Sequence, residues 1–174
     1  MSQKWYVLSV FGKDQCGIVS RISQSLFDLD ANMCETSMCR LGDYFTILAF
    51  IEVAGDEAKL TQSLQAICDD MQLHFHLDAL GGHQHQHSEP NLILRFHGDD
   101  KRGLIAKISG ALRQANINIL DLQSDVTGSD KRPQFLLSIE AACDDVDSAI
   151  EQVKQQLARD NIDAHIEPID TLLA

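Results

Sequence analysis

The feature that most constrains this chain is an internal repeat, because the sequence matches itself when it is shifted by 86 residues. The loop at residues 12–17 falls on the loop at 98–103, and the apolar residues that follow keep the same spacing in both copies. The identical pairs are Leu8/Leu94, Gly12/Gly98, Asp14/Asp100, Gly17/Gly103, Ile22/Ile108, Ser23/Ser109, Leu26/Leu112 and Asn32/Asn118. Chance does not align glycines and an apolar period together, so the chain contains two copies of one unit.

A polar tract separates the two copies. Residues 81–90 read Gly-Gly-His-Gln-His-Gln-His-Ser-Glu-Pro, a composition typical of a linker. We therefore predict one domain over residues 1–80, a linker over 81–90 and a second domain over 91–174.

The hydrophobic pattern predicts the same order of elements in each copy. In the first copy, period-2 runs predict strands and 3.6-residue spacing predicts helices, in the order 6–11, 18–29, 32–41, 44–53, 57–71 and 73–80. In the second copy the corresponding ranges are 92–97, 104–115, 118–127, 134–141, 146–159 and 162–168, with a longer charged turn over 128–133. The order βαββαβ predicts an α+β protein of two ferredoxin-like units, each with a four-stranded antiparallel sheet and both helices on one face. A sheet face without helices needs cover, so we expect a homodimer.

Charge limits the partners of this chain. It has 14 Lys and Arg against 26 Asp and Glu, a formal net charge of −12. Because a direct nucleic-acid contact needs a basic face, we expect none here. We also expect no membrane contact and a cytoplasmic location, since no apolar run could span a bilayer and the start lacks a secretory leader.

The loop between the first strand and the first helix of each copy is a candidate binding site. Gly17 and Gly103 directly precede the helical runs, and the backbone N–H groups of Ile18 and Val19 would lie unpaired at the positive end of a helix. Such a site suits a carboxylate. The alternative is that both glycines only make a tight turn.

Asn32 and Asn118 are a second candidate pair, at the predicted start of the third element of each copy. A side-chain amide offers a donor and an acceptor, and could hold the amino or carboxylate group of a ligand between two subunits. An Asn that satisfies the preceding turn is the alternative.

Histidine and cysteine carry weaker signals. His74 and His76 share a strand face, and the linker histidines alternate, but no acidic or Cys ligand stands beside them, so we predict no metal. The five cysteines lack C-x-x-C spacing and are expected as free thiols. Cys16 is either a loop residue or, beside a helix start, a redox-sensitive thiol. Without a nucleophile elbow, a phosphate-binding loop, a zinc-protease motif or a dinucleotide fingerprint, we predict that the chain is not an enzyme.

Both loops resemble the ACT domain. The segments Val-Phe-Gly-Lys-Asp-Gln-Cys-Gly-Ile-Val and Phe-His-Gly-Asp-Asp-Lys-Arg-Gly-Leu-Ile, followed by Ala-Asn-Met and Ile-Asn-Ile, are similar to that family's Gly-x-Asp-x-Pro-Gly, apolar helix and Asn-Ile. The resemblance implies a sensor that binds a small amino acid at interfaces between domains. The implied ligand-binding residues are Gly17, Ile18, Val19 and Asn32 in the first copy, and Gly103, Leu104, Ile105 and Asn118 in the second.

The two-copy layout is similar to the glycine cleavage system transcriptional repressor family. That resemblance implies control of transcription through a DNA-binding regulator protein, with an amino acid such as glycine as effector and no other cofactor. The family's Pro before the second glycine is Cys16 or Arg102 here. Arg102 could pair with a ligand carboxylate or simply be solvated. A ligand-independent interaction module that dimerises through its sheets remains the alternative function, and a relative of formyl-folate deformylases is a third.

Overall fold

The computed structural model describes residues 3–81, 88–99, 101–129, 132–160 and 162–169. The chain forms two compact units, divided between residues 85 and 86. Unit 1 contains β1 (Lys4–Lys13), α1 (Ile18–Asp28), β2 (Ala31–Leu41), β3 (Tyr44–Val53), α2 (Glu57–Asp70) and β4 (Leu73–Leu80). Unit 2 contains β5 (Leu92–Asp99), α3 (Leu104–Gln114), β6 (Asn118–Ser129), β7 (Arg132–Ala142), α4 (Val146–Arg159) and β8 (Ala164–Pro168).

Each unit has one four-stranded antiparallel sheet. The strand order is β2-β3-β1-β4 in unit 1 and β6-β7-β5-β8 in unit 2. This is the ferredoxin-like α+β fold that the element order predicts. The exact bounds of the predicted linker stay a prediction, because residues 82–87 of it lie outside the described residues.

The core of each unit lies between its sheet and its helices. Along β1, the buried residues Tyr6, Leu8 and Val10 alternate with more exposed ones, so one sheet face supplies the core. Ile22 and Leu26 of α1, one helical turn apart, are also buried in this core. Unit 2 repeats the arrangement with buried residues of β5, α3, β7 and α4.

The structure corrects two predicted boundaries in unit 2. The turn predicted over 128–133 is too long, because β6 and β7 stay paired as far as Ser129 and Arg132. The polar composition of this segment did not end the ladder, and residues 130 and 131 lie outside the described residues. The last strand begins at Ala164 and not at Ile162, because the Ile162 N–H donates to the carbonyl of Leu157 at the end of α4, at 3.0 Å.

The sheet faces that carry no helices differ between the units. In unit 1 this outer face presents Phe11, Tyr44 and Leu48, each about half exposed, and the first two rings stack with centroids 5.6 Å apart. The strand registers place His97, Gln134 and Ser138 at the corresponding positions of unit 2. At these three positions the outer face is apolar in unit 1 and polar in unit 2, where Leu136 is an exposed large apolar residue of the face. Among the described residues, no helix is long and apolar enough to cross a membrane.

Candidate functional site

Both predicted glycines have the backbone conformation that glycine adopts most easily. Gly17 precedes α1 with φ of 95°, and Gly103 precedes α3 with φ of 82°. Both lie in the left-handed region, where an L side chain is strained. A Cβ at either position would meet no heavy atom within 4 Å, so the requirement is one of backbone conformation and not of space.

The starts of α1 and α3 lack side-chain caps. In α1, the first backbone hydrogen bond closes from Arg21 N–H to the Gly17 carbonyl at 2.9 Å. The N–H groups of Ile18 and Val19 donate to no acceptor among the described residues. Free donors at a positive helix end attract an anion.

The corresponding donors in α3 are not identical to those in α1. The Leu104 N–H donates to the Lys101 carbonyl at 3.2 Å, so it is already used, whereas the Ile105 N–H has no acceptor in the part of the chain that the structure describes. The side chains differ as well, since Ile18 belongs to the core while Val19 and Ile105 are exposed. Ile18 can therefore contact a ligand through its backbone but not through its buried side chain.

Asn32 lies at the opposite end of unit 1 from the Gly17 loop. Lys13, where β1 ends, pairs with Tyr44 of β3, whereas Asn32 pairs with Glu52. Tyr44 and Glu52 are eight residues apart on β3, roughly 27 Å at about 3.4 Å per residue. A small ligand cannot touch both groups within one unit.

The same separation holds in unit 2. Asn118 pairs with Ala142 of β7, while Asp99, at the end of β5, pairs with Gln134. Both predicted asparagines are exposed. The turn before β2 is made by Asp30, with φ of 55°, and Asn32 donates instead to the Cys34 sulfur at 3.4 Å. The turn before β6 has Asn116 with φ of 56°, so neither predicted asparagine is needed for its turn.

A pocket of about 190 Å³ opens beside the Gly103 loop of unit 2. It lies between the end of β5, the start of α3 and the segment that joins α4 to β8. Gly98 forms part of its wall, and a Cβ placed there would meet no heavy atom within 4 Å. Cavities of roughly 150 Å³ accommodate molecules of the size of benzene, so this pocket suits a small metabolite.

The equivalent space in unit 1 is filled. Leu73 pairs with Gly12, is only 5% exposed, and its side chain would clash with a Cβ at that glycine. The side-chain amide of Gln15 also donates to the Met71 carbonyl at 2.7 Å, which ties the loop to the end of α2. Unit 1 therefore keeps its glycine loop and lacks the space beside it.

Charged side chains of both signs line the pocket of unit 2. Lys107 pairs with Asp160 at 2.7 Å, as the corresponding Arg21 pairs with Asp70 at 2.6 Å in unit 1. The ammonium group of Lys101 lies 3.9 Å from the Asp99 carboxylate. The pocket also contains Arg102 and Asp163, and neither makes an ion pair or a hydrogen bond with any residue that the structure describes.

Metal and thiol chemistry find little support among the described residues. No group of three or more His, Cys, Asp and Glu side chains there could hold a metal ion, and His83, His85 and His87 lie outside the described part. Burial raises the pKa of the Cys68 and Cys143 thiols, which makes them poorer nucleophiles at neutral pH. Cys16 is exposed.

The sequence analysis did not identify the residues that determine whether the space beside the glycine loop is open or filled. Leu73 and Ile162 were both predicted as the first residue of a last strand, and the sequence analysis did not single out Asp160 or Asp163. One signal lies at the helix ends, because buried Met71 follows α2 where Asp160 follows α4. An acidic residue in a core position indicates that the core stops there.

Comparison with known proteins agrees with the fold of both units. Family profiles described as ACT domain match residues 5–78 and 92–158. A UPF0237 protein of Listeria monocytogenes is 32% identical over 76 residues, which cover 41% of this chain and 83% of that protein.

Two solved structures match nearly the whole chain. A protein of unknown function from Galdieria sulphuraria has a TM-score of 0.80 at 18% identity, over 97% of this chain and 99% of the other. A proposed glycine cleavage system transcriptional repressor has a TM-score of 0.73 at 20% identity, over 96% and 98% of the two chains. At these identities the two structures show a shared fold. With a profile match in each unit, the chain belongs to the ACT domain family and carries two ACT domains.

Proposed function

We propose that this chain senses a free amino acid and controls transcription indirectly, by binding a DNA-binding regulator protein in the cytoplasm. The observation that carries the proposal is the glycine loop, which has the same left-handed geometry before the first helix of both ACT domains. Membership of the ACT family points to a regulatory and not a catalytic role. An amino acid such as glycine is the proposed effector.

The charge of the chain supports an indirect route to DNA. The net charge of −12 is spread over both halves, with 5 basic and 11 acidic residues up to Leu80 and 9 and 15 after it. Each half would repel phosphates, so contact with DNA would have to come from a partner protein. The similar solved structure described as a proposed glycine cleavage system transcriptional repressor supports the same assignment.

A ligand that touches both a glycine loop and an asparagine needs a second chain. Because Asn32 lies at the far end of its own unit from Gly17, the second group would have to come from another copy. The same argument applies to Asn118 and Gly103. We therefore propose a homodimer whose ligand-bound arrangement the partner protein recognises.

Calorimetric titration with each of the twenty amino acids tests the sensing function. We expect at least one to bind. Asn32→Ala and Asn118→Ala should weaken binding without changing the melting temperature. Valine at Gly17 or Gly103 would be a poor test, since it strains the backbone with or without a ligand. No binding by the unsubstituted protein to any amino acid would refute the sensing function.

Capture from cell extract tests the regulatory step. The tagged protein should retain a DNA-binding protein, and the bound amount should change when the amino acid from the titration is added. Capture that ignores every amino acid would favour the alternative, a ligand-independent interaction module.

The apolar outer face of unit 1 is the observation that favours this alternative. Phe11, Tyr44 and Leu48 expose apolar surface that a second copy could bury. The substitution Leu48→Asp should then shift sedimentation from dimer to monomer, whereas Ser138→Asp at the matching position of unit 2 should not. A dimer that survives Leu48→Asp would exclude this face as its contact.

A further inference from the structure

We infer that Arg102 and Asp163, in the pocket beside Gly103, hold the amino acid as a zwitterion on the glycine-loop side of the proposed site, and that unit 1 has no equivalent pair of charges. The inference rests on the proposed amino-acid sensing and specifies which unit binds and with which side chains. It predicts one bound amino acid per chain.

Within the described residues, the space beside the strand glycine is open in unit 2 and filled in unit 1, because the last strands begin differently. In unit 1, β4 starts at Leu73, and this residue pairs with Gly12 and fills the space beside it. In unit 2, β8 starts at Ala164, which pairs with Phe96, so no described residue pairs with Gly98 on that side. The space next to Gly98 remains open and forms the wall of the pocket.

The charged side chains that line the pocket indicate which class of ligand would fit it. Its lysines already have acidic neighbours, Lys107 with Asp160 at 2.7 Å and Lys101 with Asp99 at 3.9 Å. Arg102 and Asp163 remain as a cation and an anion without partners among the described residues.

A guanidinium group binds a carboxylate through two parallel hydrogen bonds, and a carboxylate accepts strongly from an ammonium group. A free amino acid presents both groups on one carbon, whereas a simple carboxylate or amine satisfies only one side chain of the pair.

Unit 1 offers a matched internal control. The repeat places Cys16 at the position of Arg102, and the helix ends align His74 with Asp163. Neither residue reproduces the pair of opposite charges. Loss of these two side chains should leave binding unchanged, whereas loss of Arg102 or Asp163 should weaken it.

The test is calorimetric titration of the full chain with the twenty amino acids, followed by variants with the amino acid that binds most tightly. We expect a stoichiometry of one per chain. Arg102→Gln and Asp163→Asn should each weaken binding at least tenfold, and Cys16→Ser and His74→Asn should change it less than twofold. Gly98→Ala should also weaken binding, because its methyl group enters the pocket without a clash.

The outcomes separate this inference from the proposed function. If the unsubstituted protein binds an amino acid and neither Arg102→Gln nor Asp163→Asn weakens binding, the pocket is not the site, although the sensing function stands. Two bound ligands per chain would also overturn the inference. If no amino acid binds, the sensing function itself fails. Equal binding of acetate and of the matched amino acid would exclude recognition of a zwitterion.

Discussion

The last strands of the two units occupy equivalent places, yet β4 has eight residues and β8 has five. The difference lies at the start of each strand, next to the glycine loop. In unit 1 the strand begins with buried Leu73, which fills the space beside the loop. In unit 2 the Ile162 N–H donates to the Leu157 carbonyl at the end of α4, so Ile162 does not join the strand. Two copies of one fold thus differ in whether there is space beside the loop.

Alanine substitutions at the two corresponding apolar positions, Leu73 and Ile162, should give the largest difference in unfolding free energy between the units. Leu73→Ala removes a residue that is 5% exposed and should lower the free energy of unfolding of unit 1 by about 3 kcal/mol. Ile162→Ala removes a half-buried residue and should cost unit 2 about 1 kcal/mol.

Urea denaturation measures both effects. The chain has one tryptophan, Trp5 in β1, so its fluorescence reports on unit 1, while circular dichroism follows both units. Equal losses from the two substitutions would show that the space beside Gly98 is filled as tightly as the space beside Gly12.

The two strand glycines should respond to alanine in different ways. Gly12→Ala places a methyl group against the side chain of Leu73 and should cost unit 1 about 2 kcal/mol through overpacking. Gly98→Ala meets open space and should leave the stability of unit 2 within about 0.5 kcal/mol. Urea midpoints of the two variants decide this. A large loss for Gly98→Ala would contradict the open pocket.

Alkaline pH should destabilise unit 1 through a group that unit 2 lacks. Burial, together with the hydrogen bond of the Tyr6 hydroxyl to Glu57 at 2.8 Å, raises the pKa of Tyr6 to about 12, while the repeat has Leu92 at this position. Above pH 10 the unfolded chain loses the phenol proton and the folded chain keeps it. Stability therefore falls as pH rises, by about 1 kcal/mol per pH unit between 10 and 12.

Urea midpoints followed by Trp5 fluorescence at pH 9 and pH 11 measure this change. The control is Tyr6→Phe, which should flatten the pH dependence of unit 1. The same slope in this variant would assign the effect to other groups.

The sequence was sufficient to predict the architecture. The repeat and the alternating periods gave the order of helices and strands, because the register of each element follows from which residues are apolar. The glycines at 17 and 103 were also recognised, since a helix start after glycine has a local signature and both residues do adopt positive φ.

The pocket could not be predicted in the same way. It depends on whether Ile162 continues the strand ladder or folds back to α4, and both outcomes fit the same apolar pattern. The position of Asn32 relative to Gly17 is also a tertiary property. They are close in sequence, yet an intervening helix returns the chain to the other end of the sheet.

The glycine loops are a place where the two units should respond alike to substitution. Gly17 and Gly103 have φ of 95° and 82°, and a Cβ added at either position would meet no heavy atom within 4 Å. Gly17→Ala and Gly103→Ala should therefore each cost about 1 kcal/mol, since the penalty comes from the left-handed backbone and not from packing.

Gly17→Asn and Gly103→Asn provide the matched control, because asparagine tolerates this conformation better than alanine. The asparagine variants should recover part of the loss in urea denaturation. Equal stability of the alanine and asparagine variants would show that the loops relax out of the left-handed region. If Gly103→Ala costs far less than Gly17→Ala, the open pocket of unit 2 allows its loop to relax, and the difference between the units extends to the loop itself.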